Sequence, residues 1–480
     1  MSTPLDRDRD KRARVLDRQD SVPFDRAEEL RAQLERHTPH AVVEEDWCKV
    51  IRHIPVDLEA SARENLALLR ARGVPSAQVL LRLALAYALC DWSLRIVAAW
   101  AALKGWADLS DSALMWRLAG ARSWLGELVG AMVIRNRRQI ADHQVRLKLI
   151  DASVINGPGS KGTDWRLHAS LELGRVRFDE LEITDSKGAE SLERHAAGAE
   201  DILVADAGYG HANGMGRVLA SGAKLLVRIT FQNIRLYDEE GSKLELLEWL
   251  RGLPEADPVE REVSIQTEDG AFPMRLIARR LGQEAAEAAR RRMRQRASRN
   301  GYTPNKLRLE AAGYILVLSN LDGQVWSARQ IMALYRLRWQ VEMAFKRLKG
   351  VLALDHLRAR DPDLVQSYLL AKLLGALLVD FMSQSGPCVS IDWFDSTERP
   401  VSPWRWLVLF SDALRRAVQG SMSLSQLLTA LPRLKRYLCD PPRRRKQQYS
   451  LGRRLIQLLI GMSGAGSLHA DQLLQPMALC

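Results

Sequence analysis

The chain has 480 residues, 47% of them hydrophobic and 27% charged, and its 70 Lys and Arg against 58 Asp and Glu leave a formal charge of +12. That length suggests about three domains with a sizeable core, and the basic excess favours an anionic partner, most commonly nucleic acid, without requiring one. Five scattered cysteines (Cys48, Cys90, Cys388, Cys439, Cys480) with no CxxC pair argue against both a disulfide framework and a cysteine zinc site.

Residues 1–24 are charged, lack an apolar h-region and are expected to be disordered rather than a signal peptide. Residues 25–140 carry helical Leu/Ala/Arg periods with few β-branched runs. Within them, "SLRIVAAWAALKG" and "LSDSALMWRLAGARSWL" are separated by a short Gly-containing turn, with Ser110 placed to cap the second helix. That pattern fits a helix-turn-helix, whose second helix would enter a major groove. The pattern alone fits a plain antiparallel helix pair better.

The pattern changes at about residue 145, so that 141–222 reads as the first part of an α/β core. Three β-type runs ("VRLKLIDASVI", "WRLHASLEL", "VRFDELEITD") precede a helical stretch, "GAESLERHAA", and a buried-type strand, "DILVADAG". Three strands, a helix and a fourth strand is the order of the ribonuclease-H-like fold. That fold carries one acid on its first strand and another at the end of its fourth, positions held here by Asp151 and Asp206. An acid in an apolar strand is costly unless it meets a proton, a cation or a backbone amide, so two of them suggest a metal.

Residues 223–310 read as a mainly β insertion between the fourth and fifth core strands, with a very basic helix, "EAAEAARRRMRQRASRN". Its arginines suit phosphates or simply a solvated face. Residues 311–385 resume the core, with "GYILVLSNL" as its fifth strand, and 386–480 read as a helical C-terminal region with a second basic cluster, "PPRRRKQQ". The most apolar run, "YLLAKLLGALLVDFM", is broken by Lys372 and Asp380 and is too short for a bilayer, so a cytoplasmic protein is expected.

The stretch "YRLRWQVEMAFKRLKG" sets Tyr335, Arg338, Glu342, Lys346 and Lys349 within about 80° of one another on a helix. Taken alone, such a face often holds i,i+4 ion pairs of no catalytic meaning. With Asp151 and Asp206, however, Glu342 completes three carboxylates, hard ligands that suit Mg²⁺ or Mn²⁺ better than zinc. Two such ions about 4 Å apart can activate a water or a 3′-hydroxyl and stabilise the leaving oxygen of a phosphodiester. "GPGSKGT" lacks the order of a phosphate loop, and the nine histidines form no HxxxH pair.

The spacing Tyr-x2-Arg-x3-Glu-x6-Lys over Tyr335, Arg338, Glu342 and Lys349 resembles the Y-R-E-K signature of DDE transposases of bacterial insertion sequences, the IS-four family in particular. "IDASVINGPGSKGTDWRLH", "ITDSKGAESLERHAAGAEDILVADAGY", "YILVLSNL" and the helical "SLRIVAAWAALKGWADLSDSALMWRL" are similar to it as well, so the resemblance spans roughly residues 60–380. It implies Mg²⁺-dependent cleavage at transposon ends, transfer of the 3′-hydroxyl into target DNA, and a homodimer on paired ends of double-stranded DNA near the nucleoid. It makes Asp151, Asp206 and Glu342 the ligands of two metal ions, and Tyr335, Arg338, Lys349 and, less directly, Lys346 the DNA contacts. Trp339 or Trp326 would stack on a flipped base or pack in the core. One departure is Ala207, where the family has an arginine after the second acid. It leaves room for a silent, transposase-derived DNA-binding protein, and a nuclease that cuts without joining is a third reading.

Overall fold

The computed structural model describes residues 40–70, 73–140, 145–160, 162–231, 233–255, 257–384 and 402–420. The expected disorder of 1–24, the "PPRRRKQQ" cluster and most of the C-terminal region lie outside these residues.

Among the described residues six helices come first: α1 (His40–Ile51), α2 (Leu58–Glu64), α3 (Ala77–Leu89), α4 (Leu94–Leu103), α5 (Asp111–Gly120) and α6 (Arg122–Ile140). Ser93 and Ser110 cap α4 and α5 by accepting from the amides of Ile96 and Ala113. The expected single helix from 109 to 125 is two, because the chain breaks at Ala121 between α5 and α6.

The sheet elements follow: β1 (Arg146–Ile155), β2 (Trp165–Glu172), β3 (Arg177–Asp185), β4 (Asp201–Ala205), α7 (Ala212–Ala220) and β5 (Lys224–Ile229). Next come α8 (Leu246–Arg251), β6 (Val259–Thr267), β7 (Gly270–Arg280), α9 (Gln283–Arg299), α10 (Lys306–Ala311) and β8 (Tyr314–Ser319). The last are α11 (Ala328–Arg336), α12 (Trp339–Leu352), α13 (Pro362–Gln384) and α14 (Pro403–Gln419).

The eight strands of the described residues form one sheet in the order β3-β2-β1-β4-β5-β8-β7-β6. β1, β4 and β5 run parallel, and every other neighbour is antiparallel. This mixed α/β arrangement is consistent with a ribonuclease-H-like core. β4 is buried along its whole length, as a central parallel strand covered on both faces should be.

Two expectations change. The insertion was expected to start at 223 and "YILVLS" to be the fifth core strand, but the place beside β4 belongs to Lys224–Ile229, and β8 pairs antiparallel on its outer side. The one-helix crossover through α7 returns the chain to the same end of the sheet, which makes the next strand parallel. β6, β7 and β8 then widen the sheet rather than interrupt its core. The helix expected in "GAESLERHAA" is only a 3-10 turn, Leu192–Arg194. Side chains hold that segment open: Arg194 donates to the Ala189 carbonyl, and the Glu180 carboxylate accepts from the Ala196 amide and pairs with His195.

Helices that precede and follow the sheet in the chain share one core, since α13 packs on α3, α5, α6 and α14, and this core continues onto one sheet face. By length and composition Pro362–Ser383 would span a membrane, yet 83% of its apolar stretch is buried inside the protein. Buried cations fasten the helix ends here. Arg82 donates to the carbonyls of Ala417 and Val418, Arg415 to those of Leu89 and Val351, and Lys372 to those of Ala353 and His356. Each offsets the unpaired carbonyls and negative dipole end of a helix. Burial pushes the Lys372 amine down to about 7.

At the start of β1 a buried lysine ties three strands together. Lys148 Nζ lies 3.3 Å from Asp179, 3.6 Å from Glu180 and 3.4 Å from Asp201, and donates to the Ala196 carbonyl at 2.9 Å. Removing one partner from a buried ionic cluster leaves uncompensated charge. Lys148→Met is therefore expected to lower the unfolding free energy by about 3–5 kcal/mol, measured by urea denaturation, whereas an exposed Lys243→Met control should change it little.

Candidate active site

The β1–β4 register brings the first two acids together. Arg146 pairs with Asp201 and Leu149 with Val204, and the same register continued by two residues sets Asp151 beside Asp206. Asp206 is the first residue past β4, where it precedes a 3-10 turn over Ala207–Tyr209. Asp206 thus sits just past the end of β4, with Asp151 beside it partway along β1, near the usual binding edge of such a sheet.

The third acid arrives on a broken helix. The stretch expected to form one helical face is two helices: α11 ends at Arg336, and α12 starts at Trp339. Between them the Leu337 and Arg338 amides bond back three residues, to the carbonyls of Leu334 and Tyr335. The start of α11 is held by a capping box between Ser327 and Gln330. Tyr335 therefore belongs to α11, Arg338 to the junction, and Glu342 to the first turn of α12, where the helix dipole favours a carboxylate.

These groups meet. Arg338 Nη1 lies 3.6 Å from Asp151 Oδ2, and Nη2 donates to Glu342 Oε1, so one guanidinium bridges the first and third acids. The Tyr335 hydroxyl donates to Asp206 Oδ1 at 3.2 Å, and Asp151 Oδ1 accepts from the Ala152 amide at 2.9 Å. Burial pushes Asp151 up to about 6; Arg338 and the Ala152 amide pull against this, while Glu342 and Asp206 add to it. Burial also raises Tyr335 to about 12, helped by Asp206. For Arg338 burial works against the charge, but Tyr335 and the three carboxylates outweigh it and its pKa rises.

Three other expected residues divide. Lys349 donates to the Val154 carbonyl at 3.1 Å and so pins α12 to β1. Lys346 is exposed, with its ammonium 5.7 Å from the centroid of the Trp339 ring, and that ring is 44% exposed. Trp326 is 6% exposed and belongs to the core, so of the two expected tryptophans Trp339 alone reaches the surface. Two residues escaped the sequence reading. The Tyr209 hydroxyl is buried with no hydrogen-bond partner among the described residues, and its pKa is raised by burial, then by Glu190 and Asp151. Arg228 is exposed on β5, near enough to pull the Tyr335 pKa down. Its signal was the strand "AKLLVRIT", once that strand is seen to stand beside β4.

A divalent cation suits this donor set by chemistry, since three carboxylates offer hard oxygens and burial with mutual repulsion makes the Asp151 charge costly. As the side chains stand, no three acidic, histidine or cysteine groups among the described residues converge tightly enough to hold one ion. The Arg338 guanidinium supplies the positive charge between Asp151 and Glu342 instead.

Comparison with known proteins agrees with this geometry. Residues 182–378 match the family model "Transposase DDE domain", a span that includes Asp206 and Glu342. The chain is 40% identical over 349 residues to the putative transposase InsL for insertion sequence element IS186A of Escherichia coli (strain K12), covering 71% of this chain and 94% of that protein. It is 39% identical over 350 residues to the transposase for insertion sequence element IS421 of Escherichia coli, with the same coverage. A more distant relative is the transposase for insertion sequence element IS231F of Bacillus thuringiensis subsp. israelensis, 19% identical over 330 residues, or 61% of this chain and 68% of the relative. An acid pair in register on neighbouring parallel strands, a third acid on a helix after the sheet and 40% identity across nearly the whole of an insertion-sequence transposase lead to one conclusion: the chain belongs to the DDE transposases of the IS-four family.

Proposed function

We propose that Asp151, Asp206 and Glu342 are the catalytic carboxylates of this transposase, and that with two Mg²⁺ ions, or Mn²⁺ in their place, they cut at the ends of the element and join its 3′-hydroxyls to target DNA. The observation that carries this reading is the meeting of Asp151, Arg338 and Glu342 beside Asp206 at one edge of the sheet. Bound divalent ions would activate the attacking oxygen and stabilise the leaving one.

The surrounding residues have separate tasks. Tyr335 orients Asp206 through its hydroxyl. Arg338 compensates the charge of Asp151 and Glu342 and, once those carboxylates hold a cation, is free to turn its guanidinium to a DNA phosphate. Lys349 keeps α12 at its distance from β1. Trp339 with Lys346 offers an exposed ring and a cation at the rim, the combination that stacks a base and holds its phosphate. A homodimer on paired ends, working in the cytoplasm at the nucleoid, is part of the same reading, as is a DNA-binding role for the helices before β1.

Cleavage of DNA carrying the sequences that flank this gene, with joined products scored as well as cuts, tests the assignment. Glu342→Gln is expected to lower Mg²⁺-dependent cutting by about 10³-fold or more and to leave DNA binding nearly unchanged. Chelating the divalent ions should stop cutting by the wild type. Binding without any cutting by either protein would instead support the silent DNA-binding reading that Ala207 leaves open.

The raised Asp151 pKa gives a second test. A carboxyl whose folded value, about 6, lies above its ordinary 3.8 stabilises the folded state fully below pH ~4, and that contribution is lost as pH rises through ~6. Metal-free wild type is therefore expected to lose on the order of 2 kcal/mol between those limits relative to Asp151→Asn. Melting temperatures of both proteins across that range, with chelator present, measure the difference.

A further inference from the structure

The very basic helix α9 is not used by the acids, and its placement gives it a task of its own. β7 runs antiparallel to β8, and β8 antiparallel to β5, so Arg280 at the end of β7 pairs with Tyr314 while Ile229 at the end of β5 pairs with Leu316. β7 therefore finishes at the same edge of the sheet as β4, which ends at Asp206. α9 begins three residues later. In the sheet order β7 stands three strands from β4, about 14 Å away at the usual strand spacing.

One side of α9 is anchored. Ala286 and Ala297 are buried, and Arg290 donates to the Leu309 carbonyl at 3.1 Å. The opposite side, about 200° of arc, presents Arg291, Arg292, Arg294, Arg296 and Arg299, all exposed. Among the described residues none of these five has a carboxylate within ion-pair distance, whereas Arg251, Arg275, Arg280 and Arg329 nearby each have one. The acids of α9, Glu284 and Glu287, are confined to its first two turns. An ordinary solvated face mixes the two signs. Here Arg292 with Arg296, and Arg296 with Arg299, sit at i,i+4 and i,i+3, where like charges weaken a helix.

We propose that this arginine face of α9 grips the phosphate backbone of duplex DNA lying across the acid-bearing edge, beyond the reach of the catalytic residues. A helix of 17 residues is about 25 Å long, room for roughly seven base pairs of one strand. The contact is independent of sequence, because arginines spread over a face read phosphates and not base edges. The proposal rests on the reading that DNA is cut at Asp151, Asp206 and Glu342, but its test reads binding alone and does not depend on cutting. Two duplexes have this chemistry: DNA flanking the element's end, and target DNA.

The full chain with all five arginines changed to Gln is compared with wild type and with a version carrying five Lys. Binding is followed by fluorescence anisotropy over a range of salt, with one duplex spanning the element's end and its flank and another of unrelated sequence. Each phosphate that the protein ceases to neutralise lowers the slope of log affinity against log salt by about 0.9. The Gln variant is therefore expected to drop by about 2 or more in that slope, and the Lys variant to keep it. A drop confined to the end-and-flank duplex assigns the face to flanking DNA, and one confined to the unrelated duplex assigns it to target; a drop on both supports backbone gripping in general. Unchanged slopes on both, with circular dichroism and melting temperature also unchanged, overturn the proposal. If Glu342→Gln fails to abolish cutting while the Gln variant shows the lower slope, the catalytic assignment falls and the arginine face stands.

Discussion

Carboxylates set close together on neighbouring parallel strands and a helix repel one another, and much of the surrounding structure makes that crowding tolerable. Burial is the largest influence on Asp151, and Glu342 and Asp206 increase its cost. One guanidinium, that of Arg338, faces Asp151 and Glu342, and one phenol, that of Tyr335, serves Asp206. Both come from a short region around the α11–α12 junction. If that junction continued as a regular helix, its backbone would rise evenly and leave no bend between Tyr335 and Glu342. The tight turn at Leu337 and Arg338 lets one segment serve acids on two strands and a helix.

The same management of charge recurs at the far end of β1. Lys148, almost wholly buried, stands among Asp179, Glu180 and Asp201 on the strands and loops beside it. It holds the register whose continuation sets Asp151 beside Asp206. Further out, Arg82, Arg415 and Lys372 cap helix ends so that α3, α12, α13 and α14 are fastened to one another. Glu342 thus rides on a helix secured at its first turns by Arg338, further along by Lys349, and at its end by Arg415 and Lys372.

Much of the fold could be read from periodicity. The three strands ending near Asp185, the buried strand before Asp206 and the capping serine at 110 appear where the pattern set them. The errors share a cause. "AKLLVRIT" and "YILVLSNL" are both short apolar runs, and nothing within either says which will stand beside β4. That depends on the crossover before each strand and on the surface left to cover. "GAESLERHAA" has helical residues, yet the carboxylate of Glu180 claims its Ala196 amide and its own Arg194 takes the Ala189 carbonyl.

By itself the sequence determined the order of helices and strands, the residue types at the acid positions, the excess of positive charge and the spacing that points to the transposase family. Those properties run along the chain, where neighbours a few residues apart set the period and the caps. Tertiary structure alone decided how the cations are used. Arg338 faces carboxylates, Lys349 holds a carbonyl of β1, Trp326 is buried while Trp339 is exposed, and the five exposed arginines of α9 have no ion-paired acid among the described residues. Each of those outcomes depends on partners far away in the chain, and a local pattern carries no record of what the fold will bring alongside it.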